Sequence, residues 1–143
     1  MRPSALIDAG ALIALLDSSD EWHRACCQAF VNLRLPLLTS EAVLTEVFHI
    51  VGRRREPEAV WGFLATGAVT VGAITDSDLP LLRQLMSQYS DLPMDFADAT
   101  LVHLAQSAQI PTIFTVDFED FEVYRLHGRR RFRILPERMA RLR

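Results

Sequence analysis

Pro93-Met94-Asp95-Phe96-Ala97-Asp98-Ala99-Thr100-Leu101-Val102-His103-Leu104-Ala105 is the stretch on which the reading of this chain turns. Apolar residues at 97, 101, 104, 105 and 108 follow the 3.6-residue period of a helix packed on a core. Pro93 suits the first turn, and Pro111 ends the pattern after Gln109. Asp95 and Asp98 stand three residues apart at the start of this helix, so their Cβ atoms lie about 5–6 Å apart on neighbouring parts of one face. Acids suit a positive helix N-terminus, which accounts for one of them. Two together, with further acids at apolar strand ends elsewhere, point to a metal site.

Outward from that helix, short apolar runs alternate with helical patterns. Ala5-Leu6-Ile7 reads as a strand buried on both faces, with Asp8 at its carboxyl end. Leu35 to Thr39, Val69 to Ile74 and Thr112 to Val116 read as further strands, the last ending at Asp117; Phe132 to Leu135 is a weak final one. Helices are expected over 11–16, 21–33, from Glu41 to Arg53, from Pro57 through Leu64, from Thr75 to Tyr89, and, as a short helix or turn, over 118–124. Ser19 or Asp20 would cap the second of these and Ser40 the third. Strand–helix alternation implies parallel pairing through right-handed crossovers, hence a three-layer α/β/α sandwich. The 143 residues fit one domain, 1–143, with no linker or internal repeat.

Composition narrows the class. No apolar run approaches the roughly 18 residues needed to cross a membrane, and Arg2 alone makes a poor signal-peptide start, so we expect a soluble, cytoplasmic protein. Cys26 and Cys27 are adjacent, which suits neither a disulfide nor a zinc site. All fifteen basic residues are arginines. Residues 125–143 hold eight of them against Glu137 alone, a charge of +7, and the remaining chain carries −10. A basic tail on an acidic body suits phosphate contact or an acidic partner. Arg129, Arg130 and Arg131 are its densest part, whereas Arg53, Arg54 and Arg55 read as solvated charges at a helix end.

A parallel sheet would gather Asp8, Glu46, Asp95, Asp98 and Asp117. Two unit charges about 4 Å apart repel by about 4 kcal/mol at an effective dielectric near 20, so such a cluster needs an offsetting charge. An all-oxygen donor set without His or Cys suits Mg²⁺ or Mn²⁺ rather than zinc. A cation there activates water and neutralises charge building on a phosphate oxygen. With arginines nearby, the pattern is that of a phosphodiesterase. The four histidines, 23, 49, 103 and 127, lack an acid at catalytic spacing and read as structural. No nucleophile elbow, phosphate loop or dinucleotide fingerprint is present.

Four segments resemble the motifs of PIN-domain proteins, the ribonuclease fold of many prokaryotic type II toxin–antitoxin toxins. They are Leu6 to Asp17 with Asp8, Thr39 to Val47 with Glu46, Asp98 to Ala105 with Asp98, and Thr115 to Phe121 with Asp117. The resemblance spans nearly the whole chain and rests on all four motifs in order. It implies a five-stranded parallel sheet and a Mg²⁺- or Mn²⁺-dependent endoribonuclease. Asp8, Glu46, Asp98 and Asp117 would coordinate the metal or the activated water, and Thr115 would orient a carboxylate. Asp95 would be either a ligand through water or a helix N-terminal acid. Asp120 could touch the edge of the site. The resemblance further implies an RNA substrate, a cognate antitoxin that Arg129 to Arg131 could meet, and a homodimer, for which Trp61 and Phe63 are available. Ala9 departs from the family, where Thr or Ser often follows the first aspartate. Two other readings stay open: a PIN-like module that binds RNA or protein with weak or no cleavage, and a different acid-based phosphatase fold. The latter would need a second acid beside Asp8, where Ala9 and Gly10 stand.

Overall fold

The structure, a computed structural model, describes residues 2–54 and 56–142. The strands are β1 (Leu6–Ile7), β2 (Leu37–Ser40), β3 (Val69–Gly72), β4 (Thr112–Phe114), β5 (Arg125–His127), β6 (Arg130–Arg131) and β7 (Arg133–Leu135). The helices are α1 (Ala9–Leu16), α2 (His23–Val31), α3 (Glu41–Arg53), α4 (Pro57–Ala65), α5 (Leu79–Gln88), α6 (Phe96–Ala108) and α7 (Phe118–Val123). Five strands form the central sheet in the order β3-β2-β1-β4-β7, every pair parallel. The chain steps outward from β1 to β2 to β3, then returns to the far side of β1 for β4 and β7. Right-handed crossovers therefore place the connecting helices of the two halves on opposite faces. The strand order reverses between β1 and β4, and it is outside the carboxyl ends at such a reversal that α/β sheets bind ligands.

The central strands β1, β2 and β4 are buried along their whole length, as strands flanked on both sides in a parallel sheet are. Leu6, Ile7, Leu37, Ile113 and Phe114 are at most 1% exposed. Helix α6 lies against them with nine consecutive buried residues, Ala97 to Ala105. Gly10 sits where a Cβ would come within 2.8 Å of the Val116 side chain. The start of α1 and the segment after β4 meet there at a distance only glycine allows.

Several boundaries differ from expectation. Helix α6 begins at Phe96, not near Pro93, because Asp95 adopts an extended backbone (ψ 171°) and takes the N-cap position. The expected helix from Thr75 opens as a 3₁₀ turn over Asp76–Asp78, closed by a capping box between Thr75 and Asp78. Helix α2 starts later and ends earlier than expected; Asp20 Oδ1 accepts from Trp22 N in the turn before it. Strand β7 is the expected weak final strand. The hairpin of β5 and β6 was not expected, and Gly128 at its turn has φ of 52°. Arg55 and Arg143, two of the arginines counted above, lie outside the described residues. Phe48 packs on Trp61 with ring centroids 4.7 Å apart, and Trp61 is 57% exposed while Phe63 is only half-buried.

Candidate metal centre

Three of the acids are here for a local reason as well as a chemical one. Asp8, Asp95 and Asp117 are the N-caps of α1, α6 and α7. Asp8 Oδ1 accepts from Ala9 N at 2.8 Å, Asp95 Oδ1 from Asp98 N at 2.7 Å, and Asp117 Oδ1 from Asp120 N at 3.3 Å. Aspartate is among the best residues for this position. Capping thus explains each acid singly. It does not explain why the sheet brings the three caps to one edge.

The tightest group is Asp98, Asp117 and Asp120, which each offer one carboxylate oxygen within 4.8 Å of the others. Asp98 and Asp117 were expected there; Asp120, expected only at the edge, is a full member. Asp8 stands outside this trio but within its field. Its second oxygen, Oδ2, accepts from Thr115 Oγ1 at 3.0 Å, and Thr115 Oγ1 in turn accepts from Asp117 N at 3.0 Å. Thr115 therefore ties the first acid to the last, as the motif implied. Glu46, half-buried on α3, faces the field of Asp95 and Asp8. Asp95 is exposed, with one oxygen committed to its cap. Arg129, Arg130 and Arg131 lie on and beside the hairpin, exposed, and among the described residues their side chains form no hydrogen bond or ion pair.

Tyr124 is the residue that sequence reasoning missed. It is fully buried, and its hydroxyl donates to Asp98 Oδ2 at 2.9 Å. A tyrosine after a short helix with Phe118 and Phe121 on one face reads as core, and no sequence signal links it to an aspartate 26 positions earlier. Elsewhere, His103 pairs with Asp78 at 3.2 Å, away from the trio, and burial pushes the Cys26 thiol up to about 12.

The electrostatics agree with the geometry. Burial, then the negative charges of Asp8 and Asp95, push the Asp98 carboxyl up to about 8; the Tyr124 hydrogen bond acts in the opposite direction. Burial is also the main cause for Asp8, raised to about 6, and for Asp120, raised to about 6 with Asp117 beside it. Glu46 is raised by burial first, then by Asp95 and Asp8. Among the described residues, no arginine or histidine forms an ion pair with any of these six acids. The donor set is all oxygen, negatively charged, partly buried and uncompensated. A hard divalent cation fits it, and Mg²⁺ or Mn²⁺ binds such carboxylate oxygens.

A groove of about 870 Å³ runs alongside, lined by Glu46, Asp95, Thr45, Val71, Ile74 and Phe96 among others. Among the described residues no helix is long and apolar enough to cross a membrane.

Comparison with known proteins agrees with this arrangement. The chain is similar to ribonuclease VapC26 of Mycobacterium tuberculosis (strain ATCC 25618 / H37Rv), 28% identical over 134 residues that cover 92% of this chain and 99% of that protein. Its fold is similar to the crystal structure of Mycobacterium tuberculosis VapC20, described as a sarcin-ricin loop cleaving toxin. There the TM-score is 0.70 at 21% identity, covering 82% of this chain and 94% of the other. A family model described as PIN domain matches residues 5–126, the span that holds β1, β4 and every acid of the cluster. With the parallel sheet, the reversal between β1 and β4 and the acids gathered at its carboxyl edge, that match makes this chain a member of the PIN domain family.

Proposed function

We propose that this chain, one PIN unit over 1–143, is a metal-dependent endoribonuclease. It would hydrolyse RNA phosphodiester bonds as the toxin of a type II toxin–antitoxin pair in the cytoplasm. The observation that carries the reading is the trio of carboxylate oxygens from Asp98, Asp117 and Asp120 within 4.8 Å of one another, with no cationic side chain paired to them among the described residues. The ribonuclease named among its relatives supplies the substrate class.

Asp98, Asp117 and Asp120 would hold Mg²⁺ or Mn²⁺, with Asp8 beside them and Asp95 reaching the ion at most through water. The cation supplies charge neutralisation at the scissile phosphate and a more acidic water. Thr115 and Ala9 N keep both oxygens of Asp8 fixed. Glu46, whose carboxyl is raised by burial, borders the open groove. Its carboxylate would take the proton of the attacking water. The water oxygen would bond to phosphorus as the P–O bond opposite it breaks, and the leaving oxygen would depart as an alkoxide that takes its proton from solvent. Arg129, Arg130 and Arg131 would contact flanking phosphates or an acidic face of an antitoxin. The exposed Trp61, stacked on Phe48, is available to a homodimer contact.

Purified protein should cleave RNA with Mg²⁺ or Mn²⁺ and stop when EDTA is added. Asp98→Asn with undiminished cleavage would contradict the proposal.

A further inference from the structure

We infer that Tyr124 is a positioning residue, whose buried hydroxyl holds the Asp98 carboxylate in the orientation from which it serves a divalent cation. The inference rests on the metal-dependent reading of the site.

A carboxylate on a first helical turn is not fixed by its backbone, because the terminal torsion of Asp is broad and roughly two-fold. Asp8 is fixed from both sides by Ala9 N and Thr115 Oγ1. Asp98 is given one partner, the Tyr124 hydroxyl on Oδ2. That bond occupies a lone pair of Oδ2 and leaves the remaining sites of the carboxylate for a ligand.

The tyrosine is itself immobilised. Its ring meets Tyr89 edge-on at 5.0 Å and Phe121 edge-on at 5.1 Å. Tyr89 is pinned in turn, since its hydroxyl accepts from Arg125 N at 2.9 Å. A buried tyrosine hydroxyl needs an acceptor, and the fold supplies a carboxylate of the acid trio. A hydrogen bond from a neutral donor to an ionised carboxylate is stronger than one between neutral groups. The segment from Asp117 to Tyr124 consequently does two things. It brings Asp117 and Asp120 to the trio, and it aims the third member from another helix.

Tyr124→Phe keeps the ring and removes the donor. In calorimetric titration of metal-free protein with Mn²⁺, the variant should bind roughly 10–100-fold more weakly, the usual loss when a group holding a metal ligand is removed. Cleavage should fall most at limiting Mg²⁺ and recover in part at saturating Mg²⁺. Tyr89→Phe, which removes a hydroxyl that touches Arg125 N and not Asp98, should lower Mn²⁺ affinity much less than Tyr124→Phe does. A merely structural Tyr124 predicts a lower melting temperature in EDTA with Mn²⁺ affinity unchanged; that result overturns the inference and leaves the metal site intact. A parent protein that binds no Mn²⁺ overturns the metal reading itself. Should Tyr124→Phe fail to fold, protein labelled with 3-fluorotyrosine carries two ¹⁹F reporters, at Tyr89 and Tyr124. Mg²⁺ should shift the Tyr124 resonance and not that of Tyr89; equal or absent shifts contradict the inference.

Discussion

The carboxylates of this protein live in two opposite environments. At the periphery they have partners: Asp17 with Ser19 and Arg54, Asp78 with Thr75 and His103, Glu122 with Arg138, Glu21 with Arg141. Asp17 is held below its usual range chiefly by the Ser19 hydrogen bonds, and Asp78 chiefly by the Thr75 backbone N–H. At the carboxyl edge of the sheet, Asp8 and Asp98 are buried and Asp120 half-buried, and all three are crowded by like charge and raised. The chain has fifteen arginines and, among the described residues, pairs none with the central six acids. Among the described residues no positive charge of the chain relieves the centre, and on the proposed reading a divalent cation would do so.

The sharpest way to break the comparison is to neutralise one central acid. Asp98→Asn should reduce RNA cleavage to background, and Glu46→Gln should reduce it by about 10²–10⁴-fold, the range for loss of a general base. Rates at saturating Mg²⁺ on one RNA measure both. Metal-free Asp98→Asn should also be more stable than the parent at pH 8. A carboxyl raised to about 8 in the fold and near 3.8 in the unfolded chain keeps its proton when folded, so stability falls as pH rises between those values. Asp8 and Asp120 contribute the same sign between 3.8 and about 6. The peripheral acids Asp17 and Asp78 have the opposite sign: their stabilisation is lost as pH falls through their lowered values. Melting temperatures in EDTA from pH 5 to 8 should therefore fall with pH in the parent and fall less in Asp98→Asn. A divalent cation should restore stability most at the alkaline end, where its ligands are ionised.

A smaller effect is expected from Gly10→Ala. The added Cβ meets a β-branched side chain at 2.8 Å, and overpacking of this kind costs about 1–3 kcal/mol. Chemical denaturation measures that loss, and Mn²⁺ affinity should drop with it because Val116 leads directly to Asp117. Replacing Arg129, Arg130 and Arg131 together by Ala should leave stability alone and weaken RNA binding. If all three meet phosphates, the slope of log affinity against log salt should shrink by about 2. The smallest effect is expected at the periphery. Arg54→Ala removes an exposed pair whose carboxylate keeps its Ser19 bonds, so melting temperature and cleavage should barely change.

The sequence carries the parts of this account that depend on local pattern. Buried strands announce themselves as apolar runs, and their carboxyl ends as the acids that follow, so Asp8 and Asp117 were legible; Asp98 was legible from its place at the start of a helix beside Asp95. Thr115 was legible through the family resemblance. What depends on distance in space was not. The start of α6 shifted because Asp95 serves as its N-cap, a backbone conformation that the apolar period does not reveal. Arg125 to Arg131 shows no alternation of polar and apolar residues, so its hairpin was invisible apart from Gly128. Asp120 lies three residues beyond Asp117, and whether a side chain so placed turns into a site depends on a short helix forming there. Tyr124 could be found only by its contact.

The central claim is that the crowded acids hold a divalent cation. Calorimetric titration of metal-free protein with Mn²⁺ near pH 7.5, beside Asp98→Asn, tests it most directly. The account predicts saturable binding by the parent and its loss in the variant; no binding by the parent, or equal binding by both, would contradict it.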